Sequence, residues 1–438
     1  MKKFSMMAVA ALLVVAFTVP AWAMETQFGG YWRTRMYNQA NFTGEDESEA
    51  EDIWAVDTRT RLYYTAVFHE NLKFVNKFEF DAVWGNGTLG DIGADGKELE
   101  IKNSYADWNM GPMNVKAGIQ GTKIGRGFLF DDDFSGAIVS FNGPNFSIPL
   151  IWMRANEGGM GKDANDFDVD YYAISPVFNV EAGTSSIKIN PYGLYAYSDN
   201  ASQWLVVREG VRNMFPNLEE LNMWYAGLDI DAKFDMFSIW ATGIYQGGDM
   251  TDIHTGESRD FAAWLGAAGF DMNMKWGGLH GQFFYASGQD PDEKEDWERF
   301  VVPAGQSYYW SEIMGYGILG DTSYANVSNN ACADQISNIM AANFGLTVKP
   351  MGNDKLKITL DGWYAALAED MTYIAPNGRI EEESYLGTEV DLIITYQLTK
   401  GLNLDVIGAY LFAGEATTLD VKDEADPYEF GTRLSLSF

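Results

Sequence analysis

Stretches that alternate apolar with polar residues recur along most of this chain, and the connections between them sort by parity. Eighteen candidate strands can be read: 26–39, 53–68, 72–84, 98–109, 112–119, 135–142, 145–155, 167–178, 185–197, 222–234, 236–246, 260–272, 275–287, 338–349, 355–367, 384–398, 401–414 and 427–438. After even strands the connections are short, as at 69–71, 110–111, 143–144, 350–354 and 399–400. After odd strands they are long and polar, as at 40–52, 85–97, 120–134, 198–221, 288–337 and 368–383. An even strand count with this parity puts all long loops at one end, and the short turns and both termini at the other. Closed transmembrane barrels have this pattern, with short periplasmic turns and long extracellular loops.

The faces of the strands point the same way. In 384–398, Leu386, Val390, Leu392, Ile394, Tyr396 and Leu398 share one face, while Gly387, Glu389, Asp391, Thr395 and Gln397 share the other. In 72–84, Leu72, Phe74, Phe78, Phe80 and Trp84 oppose Lys73, Lys77, Glu79 and Asp81. A soluble sandwich also alternates, but it turns its apolar face inward and rarely reaches eighteen strands. Aromatic residues make up 15% of the chain, with Gly 45 and Pro 12, and no composition shift marks a second domain. After the first 23 residues no run of about 18 apolar residues occurs, which excludes a membrane-spanning helix there. A closed barrel satisfies its backbone groups in lipid without such runs. The expected fold is therefore all-β: a closed antiparallel transmembrane β-barrel of about 18 strands over 24–438, with sixteen as the alternative count. The segment 260–272 is apolar on both faces, which fits either a strand buried between neighbours or a subunit contact.

Residues 1–23 read as a cleaved leader: Lys2 and Lys3, an apolar run from Met6 to Val19, and the small-x-small site Ala21-Trp22-Ala23. Export and the barrel pattern predict the cell outer membrane. Cys332 is the single cysteine, so no intrachain disulfide forms. The last strand ends on Phe438, with Tyr428, Phe430, Leu434 and Leu436 at the same parity. A terminal aromatic of this kind looks like the assembly signal read by the barrel assembly machinery.

Arginines on these strands locate the water. Arg33 and Arg35 lie two apart on one strand, and Arg59 and Arg61 on the next. An arginine facing lipid near the bilayer midplane costs about 2–4 kcal/mol, so the arginine face must be the lumen. The connection 120–134 carries Lys123 and Arg126, then Asp131, Asp132 and Asp133, with Gly121, Gly125 and Gly127 supplying bends. It is expected to fold into the barrel, narrow the pore, and set its aspartates against the arginines. The alternative is that the arginines only brace the interior through structural ion pairs. Around this constriction the bases are Arg33, Arg35, Arg59, Arg61, Lys73, Lys77, Lys123 and Arg126; the acids are Asp57, Glu79, Asp81, Asp131, Asp132 and Asp133. That is close to balance.

The chain as a whole has 62 acidic and 30 basic residues. The excess sits in the predicted outer loops: Glu45 to Asp52, Asp290 to Asp296, Glu381 to Glu383, and Asp420 to Asp426. This favours a solvated, mutually repelling rim over a divalent-cation site, and it excludes a nucleic-acid partner. A weak cation preference is expected from that rim. The three histidines, His69, His254 and His280, form no hydrolase or zinc pattern, so neither a catalytic role nor a cofactor or metal is expected.

The run "KNSYADWNMGPMNVKAGIQG", followed by "FDDDFSGAIVSF", resembles the outer-membrane homotrimeric porins of Desulfovibrio-type sulfate reducers. The similarity rests on Tyr105, Asp107, Trp108, Gly118 to Gly121 and Asp131 to Asp133, within about forty residues from 102 to 141. The long connection 288–337 has no match. The resemblance implies a homotrimer, set in outer-membrane lipid and lipopolysaccharide, through which small solutes and ions diffuse passively. Two other readings keep the barrel. One is a solute-specific channel with Tyr308, Tyr309 and Trp310 as an aromatic track. The other is a scaffold around an electron-carrying or adhesive partner.

Overall fold

The computed structural model describes residues 24–438 except 43, 45–51, 87–98, 158–167, 199–217, 253–255, 257, 291, 294, 321–335, 351, 375–378 and 419–423. The leader 1–23, His254, Cys332 and most of the first acidic loop thus lie outside the described residues.

Eighteen antiparallel strands close one barrel. They are β1 (Glu25–Ala40), β2 (Ile53–His69), β3 (Leu72–Val83), β4 (Glu100–Met110), β5 (Met113–Ile124), β6 (Phe130–Asn142), β7 (Phe146–Asn156), β8 (Val169–Ile174 and Val177–Ala182) and β9 (Ser185–Ser198). There follow β10 (Leu218–Phe234), β11 (Phe237–Asp252), β12 (Ser258–Phe261 and Ala263–Met274), β13 (Gly277–Ala286), β14 (Ile339–Val348), β15 (Leu356–Ile374), β16 (Ile380–Thr399), β17 (Leu402–Ala413) and β18 (Tyr428–Ser437). Each strand pairs with the next in sequence, and β18 returns to β1 with Tyr31 opposite Ser437. The backbones of Gly30 and Phe438 seal that seam with hydrogen bonds of 2.9 and 3.1 Å. A Cβ on Gly30 would meet the Phe438 ring at 2.5 Å, so only glycine fits beneath the terminal aromatic. The break in β8 falls at Pro176, which has no N–H to give the ladder. Asn190 patches the gap by donating to the Ser175 hydroxyl (3.0 Å) and the Pro176 carbonyl (2.7 Å).

Large apolar side chains cover the outer surface and charged ones turn inward, the reverse of a soluble sandwich, while the lumen also buries an apolar cluster that includes Leu194, Leu265, Phe284 and Leu411. Leu62, Val390, Leu392, Phe344 and Phe412 are exposed on the outer surface, whereas Arg33, Arg35, Asp57, Glu79, Glu389 and Asp391 are buried. Leu386 departs from its expected outward face and is fully buried. Ala365 pairs with Gly387 and Ala366 with Tyr385, so Leu386 is an extra residue that the bulge turns inward.

Two connections differ from their sequence reading. The segment 368–383 is mostly wall: β15 runs to Ile374 and β16 begins at Ile380, with Glu381, Glu382 and Glu383 opposite Tyr373, Thr372 and Met371. The segment 120–134 is not an irregular loop. Gln120–Ile124 and Phe130–Phe134 pair with each other in register, Lys123 opposite Asp131. Neither half pairs with the wall, because β4 reaches β5 only as far as Ile119, and β7 reaches β6 only from Ser135. The result is a two-stranded ribbon that leaves the wall.

Candidate functional site: the barrel constriction

The ribbon departs at Gly118 and Gly136, which lie opposite each other. Gly118 has φ 130°, and a Cβ there would meet the Ser104 carbonyl oxygen at 2.2 Å. Glycine alone allows both the conformation and the approach. The ribbon tip is one turn of 3-10 helix, Gly125–Gly127. It crosses the lumen: Arg126 pairs with Asp231 on β10 and lies 4.7 Å over the Trp240 ring on β11. Phe128 packs 5.8 Å from Phe284 on β13.

A second insertion enters from the long connection between β13 and β14. Phe300, Val301, Val302, Ile313, Met314 and Leu319 are buried in the barrel. Polar wall residues hold its backbone. Gln246 accepts from Val301 N (2.8 Å), and Tyr225 donates to the Val301 carbonyl (2.6 Å). Glu389 accepts from the Ser311 hydroxyl, Ile313 N and Met314 N at 3.0, 2.6 and 2.9 Å. Each bond satisfies a buried polar group that would otherwise lose its water. The two insertions meet: Asp131 N donates to the Gly305 carbonyl (2.8 Å), and Phe128 stacks on Tyr308 at 3.8 Å.

Between them and the β2–β4 wall remains a cavity of about 970 Å³. Arg59, Arg61, Lys77 and Lys102 line its wall side; Lys123 and Asp131 to Asp133 line the ribbon side; Tyr308 and Tyr309 close it. The arginines are not matched to the ribbon aspartates, as the sequence reading had it. Three of the four, Arg35, Arg59 and Arg61, take the carboxylate opposite them on the neighbouring strand, whereas Arg33 lies opposite Arg59 and Ser435. Arg35 is bidentate to Asp57 (3.0 and 2.5 Å), Arg59 binds Asp81 (2.8 and 2.5 Å), and Arg61 pairs with Glu79. Opposite charges at directly facing positions of a sheet attract at short range, and the register supplies that geometry without bending any loop. Asp131 is instead held by Lys123 on its own ribbon at 2.7 Å, and Asp133 accepts from Asn103 at 3.1 Å.

The other expected constriction residues separate. Arg33 lies beside a different cavity. Arg35 is fully buried and donates to the Ile318 carbonyl (2.6 Å), bracing the second insertion. Lys73 is exposed near the short-turn end, opposite Val67, and lines neither cavity. Tyr309 is 52% exposed and borders both cavities, while Trp310 is packed between Phe284 and Trp363. His280 faces the lumen and shares a 2.7 Å hydrogen bond with Asp361. Sequence reasoning passed over Lys102, Glu389 as an anchor, and Arg433, which binds Asp405 at 2.9 Å. Arg433 shares inward parity with Glu429, so the argument applied to Arg59 reaches it too.

No protein-family model matches the sequence, and no curated protein matches it. Solved structures do match. Pseudomonas aeruginosa OpdQ aligns with a TM-score of 0.57 at 12% identity, over 94% of this chain and 99% of that one. P. aeruginosa OccK2 (OpdF) in complex with glucuronate gives 0.55 at 11%, and P. aeruginosa OpdK with vanillate gives 0.54 at 10%, each over 94% of this chain and 98% of the other. Nothing in these similarities singles out the porins of Desulfovibrio-type sulfate reducers. At such identities the fold is what carries over: this chain has the closed 18-strand barrel of the Occ and Opd outer-membrane proteins.

Proposed function

We propose that this protein is an outer-membrane porin that conducts small hydrophilic solutes and ions passively, sieved by size and charge. The observation that carries this reading is the charged cavity of about 970 Å³ left between the wall and two joined insertions. Opposed bases and acids across such a gap make a transverse field that orients a dipolar solute. Arg59, Arg61, Lys77, Lys102 and Lys123 face Glu79, Asp131, Asp132 and Asp133 there, so the constriction is near balance. The net bias then falls to the acidic outer loops, which favour cations weakly. Arg35 and Arg126 brace the two insertions, while Arg33 and Lys73 lie outside this cavity. No catalytic role is proposed. Export through a cleaved leader, assembly signalled by Phe438, and a homotrimer in lipopolysaccharide-bearing membrane belong to the same proposal.

A solute-selective channel is the second reading. It is favoured by the closure between Phe128 and Tyr308, which leaves less open lumen than a single infolded loop. Two of the similar barrels also hold small ligands, vanillate and glucuronate. Conductance of the purified protein in planar bilayers tests the channel. Flux linear in solute concentration supports general diffusion, and saturable flux supports selectivity. The double variant Arg59→Ala/Arg61→Ala should shift ion selectivity toward cations; unchanged conductance and selectivity would remove these residues from the pathway.

A further inference from the structure

By turning inward, the ribbon opens the wall beside it. Among the described residues, β4 has no strand partner on its β5 side beyond Ser104, and β7 has none on its β6 side beyond Arg154. Glu100 to Asn103 of β4 thus form a free strand edge, facing Ala155 and Asn156 across a gap. Behind the gap lies a cavity of about 510 Å³, lined by Ile101, Lys102, Asp132, Asp133, Phe134 and Arg154 among others. Lys102, Asp132 and Asp133 also line the constriction cavity. The two adjoin, so the constriction lacks part of its side wall.

The gap opens within the apolar outer surface and not above it. Ile101 lies opposite Phe78, midway along the outer face between the exposed Leu72 and Trp84, and is itself 50% exposed. Across the gap, Trp152 and Tyr172 are exposed on the same surface. Hydrocarbon offers no hydrogen bonds, so a sheet edge does not stand open to lipid; it is covered by protein or lines water. The Asn103 side chain covers part of this edge, donating to the Lys102 carbonyl at 2.7 Å and to Asp133 at 3.1 Å. Glu100 and Asp132 remain exposed beside it. A cover must therefore be polar toward the gap and apolar toward lipid. The adjoining connections of the same chain are unsuited by composition. Segments 87–98 and 158–167 are mostly glycine and charged residues, with Leu89 and Ile92 in one and Met160 and Phe167 in the other as their large apolar residues. A second barrel of the same kind brings polar loops and an apolar outer wall together.

We propose that a second copy of this chain packs over the gap between β4 and β7, and that this contact closes the side of the constriction. The proposal rests on the outer-membrane channel reading. It puts the contact between copies on the β3–β8 wall instead of on 260–272. The test uses the full-length protein in lipid vesicles, with Ile101→Cys made in a Cys332→Ser background and labelled with a benzophenone maleimide. Illumination should give a covalent product of twice the monomer mass on a denaturing gel. Phe344→Cys, 59% exposed on β14 about half-way round the barrel, should give none. In detergent, light scattering of the parent protein should show an oligomer, and Ile101→Arg should reduce it to monomers. A monomeric parent, equal products from both cysteines, or a label attached only to lipid or to its own chain overturns the contact. None of these readouts needs ion flow. Cross-linked copies that do not conduct would sink the channel and keep the contact; steady conduction by monomers would keep the channel and sink the contact as its seal.

Discussion

Arg35 has no exposed surface, and its guanidinium serves two structures at once: the wall, through Asp57, and the second insertion, through the Ile318 carbonyl. Removing one partner of a buried pair leaves the other charge uncompensated, at a cost of about 3–5 kcal/mol. Arg35→Ala should therefore lower the unfolding temperature of the barrel, measured by circular dichroism or by the heat-dependent gel shift. An unchanged transition would mean that Asp57 finds another partner. Glu312, in the insertion, sets a pH dependence. Burial first, and then the nearby Glu389 carboxylate, push its carboxyl up from 4.5 to about 7, against Ile318 N, which donates to it at 2.7 Å, and the Arg433 charge. A raised acid holds its proton in the docked state, so docking is most favoured at low pH and weakens as pH rises through that window. Conductance should rise between pH 4.5 and about pH 7, and Glu312→Gln should flatten the response. At this scale sequence parity is enough to say which residues face water. It does not say what they bind: Arg59 was matched to the ribbon aspartates, and the nearest carboxylate was Asp81, one strand away.

At the scale of elements, the lumen is occupied by a ribbon and an insertion held by few anchors. Glu389 alone accepts from three donors of the turn around Ser311 to Met314. Glu389→Ala should free that turn while leaving the wall ladder intact. The expected outcome is a larger and noisier single-channel conductance with an unchanged circular dichroism spectrum. A conductance equal to that of the parent protein would show that the apolar residues Val301, Ile313 and Met314 suffice to hold the insertion. The charged, glycine-rich content of 120–134 marked it as unusual, but its strand pairing was hidden, because its two halves pair only with each other. In the long connection 288–337 the sequence offered Tyr308, Tyr309 and Trp310 as an aromatic track, but no pattern marked the segment that anchors it. Its buried residues Phe300, Val301 and Val302 form an apolar triplet whose surroundings are supplied by distant strands.

For the whole molecule, the decisive physics is which side of the wall meets lipid. Leu392, outward near the middle of β16, should not tolerate charge: Leu392→Arg is expected to cost about 2–4 kcal/mol in unfolding free energy, read from guanidinium titration of the protein in lipid. Arginine facing inward, as at 33, 35, 59 and 61, avoids that cost. A neutral effect of Leu392→Arg would place that face away from lipid, as in a subunit contact.

The sequence by itself limited the strand number to eighteen or sixteen, and it determined the outward face of most strands and the end that carries the long loops. Those are local properties: alternation has period two, and two different solvents on the two sides of one wall impose it strand by strand. Only the tertiary structure decided that two connections share the lumen, that three of the arginines close on their cross-strand neighbours, and that the wall opens beside the ribbon. Those outcomes depend on pairs far apart in the chain, such as Arg35 with Ile318 and Asp131 with Gly305, and no periodicity links such residues before the barrel closes.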